Sequence, residues 1–297
     1  MFTKYLPGTK DSYVFVATVC LIPASLALVF LYYIFSYLKS YVKNLAAHLT
    51  SPFFPLTVHA YRTIRYYYPA FISYAIFFFI LYFFNGSRYD KKNYIPTAFV
   101  VFGFIIVCST SAYQLIISII SIHKFWNSCQ LEKDQVKWTQ SGVFKLMIVI
   151  GLFVVVKEMT LWIRLIFILF TPQPSPYELH AQILLLFFIH AGIYIVQHIV
   201  LMVALICELS MSKTSIGHAE YLLAKHAKYI GVVKTIFFSI FIYAWNMDSY
   251  PFVCYFVFFT IDFFLVPIVI EVTEVYSKPI IIVPRGALQM YPTGALP

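Results

Sequence analysis

Apolar residues in this chain come in long unbroken blocks, not in the one-face periodicity of soluble helices or the alternation of soluble strands. The blocks occupy 14–38, 66–84, 97–122, 146–170, 179–207, 229–245 and 252–273. Most hold the ~20 residues that, at ~1.5 Å of rise each, cross a hydrocarbon core of ~30 Å. The pattern predicts an all-α membrane protein, a bundle of seven transmembrane helices with its termini on opposite sides. The longest connections, 39–65, 123–145 and 208–228, are too short for a folded domain. A single seven-helix membrane domain over 1–297 is therefore expected, with 274–297 as a short tail. That tail is broken by Pro279, Pro284 and Pro292 and shows no sustained amphipathic period.

Composition agrees. Charged residues make up 11% of the 297 and hydrophobic ones 61%, against ~25% charged in an ordinary soluble domain. The first block is longer than the apolar core of a secretory leader, ~7–15 residues. It is followed by Lys39 and Lys43, as a retained helix would be.

Charge supplies an orientation. Of the 21 Lys and Arg, thirteen fall in the connections after the first, third and fifth helices and in the tail, and five fall on the opposite face. Positive residues collect on the cytoplasmic side, which places the N-terminus outside and the C-terminus in the cytoplasm. Topology thus explains the net charge of +9. The basic residues are dispersed over short loops, without a nucleic-acid-binding motif. The one N-x-[ST] sequon, Asn85-Gly86-Ser87, falls in the first outside connection. The five cysteines do not suggest a secreted disulfide framework: Cys20, Cys108 and Cys254 fall within the apolar blocks, and Cys129 and Cys207 fall in or beside connections on one face.

Polar residues inside the blocks are the candidate chemistry. The third block carries Ser109, Thr110, Ser111, Tyr113 and Gln114. Hydroxyls there serve helix packing, but a whole amide in lipid is expensive, so Gln114 must face the bundle. Lys157, Glu158 and Arg164 interrupt the fourth block, where a structural ion pair or a polar wall for a ligand is expected. His190, Tyr194 and His198 step by four along one face of the fifth helix. No carboxylate or H-E-x-x-H spacing joins them, so no metal and no cofactor is indicated. Lys234 in the sixth helix and Asp262 in the seventh are predicted to form an intramembrane polar pair, because either charge alone in lipid is costly. Pro69 is expected to kink the second helix, and Pro267 breaks the seventh.

Several spans resemble the nematode serpentine receptors, class Z most closely. They are Ser51-Pro52-Phe53-Phe54-Pro55 with Val58-His59-Ala60-Tyr61 and Tyr66-Tyr67-Tyr68, then Gln114 through His123-Lys124-Phe125. Lys157-Glu158, Tyr229 with Lys234, and Asp262 through Pro267-Ile268-Val269-Ile270 follow in the same order. Departures are Lys124 where the family usually has Arg, the absence of Asp-Arg-Tyr there, and Tyr276-Ser277-Lys278-Pro279 in place of a basic cluster. No cysteine lies at the top of the third helix or in 171–178. The resemblance implies a G-protein-coupled-receptor-like chemoreceptor of the plasma membrane, a multi-pass protein with a heterotrimeric G protein as its partner.

A receptor of this kind, not an enzyme, is the leading expectation. A small-molecule ligand would sit in the outer half of the bundle against Tyr113, Gln114, His190, Tyr194 and Trp245, polar anchors in an aromatic surround. Lys124, Phe125, Lys225 and Lys228 would meet the cytoplasmic partner. The alternative is a small-molecule transporter or channel, but the two halves show no internal repeat and few broken helices.

Overall fold

The computed structural model describes residues 21–85, 95–130, 135–170, 176–211, 218–246 and 251–277. Most of these residues are helical, and there is no strand among them. Helices α1 (Ile22–Lys43), α2 (Leu45–Leu49) and α3 (Phe54–Arg62) are followed by a π-helical turn, Thr63–Tyr67, that runs into α4 (Tyr68–Asn85). Then come α5 (Ile95–Ser128), α6 (Gln140–Phe170), α7 (Pro176–Ser210), α8 (His218–Asn246) and α9 (Pro251–Tyr276). Proline lies at or next to the first position of α1, α3, α7 and α9. There its fixed φ favours the helix and its missing N–H costs nothing.

Helices outrun the apolar blocks. The 39–65 connection contains α2 and α3, and α8 starts at His218, well before the block at 229. The early part of α8 is amphipathic: Ala219, Leu222, Leu223, Ala227 and Ile230 are buried, whereas Lys228 and Tyr229 are exposed. Spacing of three and four, not continuous hydrophobicity, makes this part helical.

Packing closes a ring. Helix α1 lies against α9, α9 against α8, α8 against α7 and α7 against α6, while α3 contacts α6 and the π turn contacts α1. Helix α5 stands within the ring and touches α4, α6, α7, α8 and α9. Gly231 lets α8 approach α7, since a Cβ there would come within 3.2 Å of Leu205 Cβ.

The bundle is apolar outside as well as inside. On α1, Phe35 is 78% exposed while Tyr37 is 1% exposed. On α6, Val149, Leu152, Phe153 and Val156 all face outward. So continuous an apolar surface suits hydrocarbon and not water. Among the described residues three helices, over Ala24–Lys43, Gly103–Ser128 and Gly192–Ser210, are long and apolar enough to cross a membrane by length and composition.

Two prolines shape the interior, and the chain answers each differently. The π turn ends two residues before Pro69, and it includes the residue four back whose carbonyl the proline ring would otherwise press on. Pro267 lies inside α9 and has no N–H to offer the Phe263 carbonyl. The hydroxyl of fully buried Tyr68 donates to that carbonyl at 2.6 Å. Tyr68→Phe keeps the ring packed on Phe30 and Phe263, whose centroids lie 5.0 and 5.5 Å away. It strands the carbonyl, so a loss of about 1–3 kcal/mol is expected in chemical unfolding of the detergent-purified protein. Unchanged stability would show that this hydrogen bond does not complete the broken helix.

Candidate functional site

Polar side chains gather at two levels. The first lies where α5, α7 and α8 meet. Lys234 is 3% exposed, and its Nζ donates to Gln114 Oε1 at 2.7 Å. The same ammonium lies 4.6 Å from the centre of the Tyr194 ring. An amide oxygen and an aromatic face thus share in replacing the water that a buried ammonium has lost. One turn from Tyr194, buried His198 packs on Phe238 with ring centroids 4.5 Å apart.

Neighbouring hydroxyls bond to their own helix. Thr110 Oγ1 donates to the Ile106 and Val107 carbonyls, and Ser118 Oγ to the Gln114 carbonyl. Tyr113 turns elsewhere: its hydroxyl is 2.6 Å from His226 Nδ1. It also borders a small cavity with Thr63, Tyr68, Thr110 and Pro267. That cavity is small, about 20 Å³, room for about one water molecule.

Of the five residues expected to line a ligand site, Gln114 and Tyr194 thus come together around Lys234, and Tyr113 faces His226. The side chains of His190 and Trp245 lie outside the described residues, as does that of Asp262, the predicted partner of Lys234. Lys157 and Glu158 pair with each other at 2.7 Å.

The second level is one end of the bundle, where the described parts of the 39–65, 123–145 and 208–228 connections meet the described residues just after the last block. Gln140 Nε2 donates to the Leu49 and Ser51 carbonyls. Trp138 packs on Phe53 and on His123. The expected partner-contact residues are here: Lys124 and Phe125 are half-buried at the end of α5, and Lys228 is exposed. Lys225 lies 4.4 Å over the Tyr221 ring and reaches Ser277 Oγ at 3.5 Å.

At the same end lies a group that sequence reasoning passed over. Glu274 Oε1 accepts from Asn44 Nδ2 at 2.9 Å and lies 3.2 Å from His48 Nε2. Ser40 Oγ donates to the Glu274 carbonyl at 3.0 Å. Burial pushes the Glu274 carboxyl up, but the His48 hydrogen bond and charge, with Asn44 and His218, outweigh it and hold the group below the ordinary carboxylate range. Burial lowers His218, the first residue of α8. Three residues before Glu274, less than one turn away, lies a contrast: Glu271 is fully buried, and neither of its carboxylate oxygens has a hydrogen-bond partner among the described residues. The signal available in the sequence was topological. The connections holding His48 and His218 and the start of the tail were all assigned to one face.

Comparison with protein-family models, with curated proteins and with solved structures gives no match.

Two outcomes are expected. Gln114→Leu takes away a hydrogen bond to a buried charge and should cost about 1.5–3 kcal/mol; adding Lys234→Met should recover part of it, giving a non-additive cycle in denaturant titrations. Strict additivity would show that the contact contributes nothing. Burial holds His226 down at about 4 against an ordinary 6.5. Between those values the unfolded chain binds a proton there and the folded chain does not. The stabilisation is therefore complete above pH 6.5 and is lost as the pH falls to about 4, by roughly 3 kcal/mol. His226→Gln should flatten this part of the stability–pH curve, and an unchanged slope would assign it to other groups.

Proposed function

We propose that this protein is a chemosensory receptor of the serpentine type, crossing the plasma membrane seven times with its N-terminus outside. The observation that carries the reading is the contact of Gln114, Lys234 and Tyr194, which ties the central helix α5 to α7 and α8 through one buried ammonium. A small amphipathic molecule with an anionic or strongly accepting group would compete for Lys234. It would favour a helix arrangement in which the ammonium turns from Gln114 to the ligand, and only such differential affinity can shift the bundle between states. The ends of α5, α8 and α9 carry that shift to the cytoplasm, where Lys124, Phe125, Lys225 and Lys228 meet a heterotrimeric G protein. The ordered resemblance to class Z and the charge asymmetry of the connections support the same reading.

The test uses the full chain in lipid nanodiscs, screened with small volatile and water-soluble compounds while nucleotide exchange on a heterotrimeric G protein is followed. A compound that accelerates exchange in the wild type and loses most of its effect in Lys234→Met is expected. Saturable flux of such a compound into protein-containing vesicles, with no signalling partner and no effect on exchange, would instead identify a transporter.

A further inference from the structure

We propose that His48, His218 and Glu274 form a binding site for a divalent transition-metal ion of the zinc class, joining α2, α8 and α9 at the polar end of the bundle. Three elements far apart in sequence deliver one ligand atom each, and the three atoms lie within 4.8 Å of one another. All three residues are buried. Ligand atoms held at ~2.0–2.2 Å around a four-coordinate ion are separated by about 3.4 Å. His48 Nε2 and Glu274 Oε1 are already at that spacing, 3.2 Å. The remaining closure, at most roughly 1.4 Å from the 4.8 Å within which all three atoms lie, falls to His218.

His218 is the telling member. It is 5% exposed, and neither Nδ1 nor Nε2 has a hydrogen-bond partner among the described residues. A buried imidazole without a partner costs free energy, and an ion between it and the His48–Glu274 pair would end that deficit. The other two ligands are held ready. Tyr41 stacks on the His48 ring at 4.7 Å and 16°, and Asn44 Nδ2 orients the Glu274 carboxylate. Such outer contacts are what fix ligands in established metal sites. Two imidazoles and one carboxylate select a borderline ion such as Zn²⁺ over Mg²⁺ or Ca²⁺, which prefer oxygen throughout. Three protein ligands leave a fourth position for water. Because the ligands come from three elements, the bound ion holds the ends of α8 and α9 together, and any rearrangement that parts them must release it.

The experiment uses the full-length protein in detergent, without a polyhistidine tag, stripped with chelator and titrated with Co²⁺ and then Zn²⁺. One equivalent of Co²⁺ should give the intense visible bands of a four-coordinate site, Zn²⁺ should displace it, and Zn²⁺ should raise the unfolding temperature. His218→Ala gives up no hydrogen bond to the described residues, so what the metal-free variant loses in stability is the packing of a buried ring on His48, and the metal is read separately as binding. The variant's Zn²⁺ affinity should fall at least about tenfold, the lower end of what even outer partners contribute. Glu274→Gln provides the same reading should His218→Ala fold poorly, and His123→Ala should bind as the wild type does. Absence of a stoichiometric four-coordinate Co²⁺ spectrum, or Zn²⁺ affinity unchanged in both His218→Ala and Glu274→Gln, would overturn the site.

Discussion

The carboxylate of Glu274 is the contact on which one whole end of this bundle depends. It receives Asn44 and faces His48, while Ser40 holds the backbone of the same residue, so α1, α2 and α9 meet on a single residue. No helix pair among the described residues packs more extensively than α1 and α9. An anion buried there persists only because polar groups replace its water. Removing one partner of such a buried group typically costs ~3–5 kcal/mol, since the other is left unpaired. The contact is therefore a strong constraint on how α9 can move against α1.

The same demand recurs along α9 and α5. Pro267 strands a carbonyl, and Tyr68 meets it. Lys234 needs a substitute for water, and Gln114 with Tyr194 provides one. These contacts run between helices, not within them. A change at the level of Lys234 therefore alters the partners that hold α5, α7 and α8 in register, and α8 continues from there to His226 and His218 at the polar end. Chemistry in the middle of the bundle and geometry at its end share one rigid helix.

Much of the architecture was legible in the hydropathy pattern, because a helix that faces hydrocarbon has to be apolar over its whole circumference. The extents were not. Helix α8 begins at His218 and the 39–65 connection is largely helical, since those parts are amphipathic and leave no continuous apolar run. Gln114 is buried, as the cost of an amide in lipid requires. Its contact with Lys234 spans 120 residues of sequence and had no spacing to reveal it. His48 and Glu274, 226 residues apart, were hidden for the same reason. The π turn was anticipated only as a kink at Pro69, because the sequence shows where a helix is strained but not how the strain is absorbed.

The sidedness of the chain decides most directly whether these contacts belong to a seven-crossing receptor. Single reactive cysteines at 88 and 213, introduced as Arg88→Cys and Lys213→Cys with Cys129→Ser as background, can be labelled in intact cells with a membrane-impermeant maleimide. Seven crossings with the His218 end inside predict labelling of position 88 at once and of position 213 only after permeabilisation. Labelling of position 213 in intact cells would contradict the orientation, and with it a cytoplasmic role for the end of the bundle that Glu274 holds together.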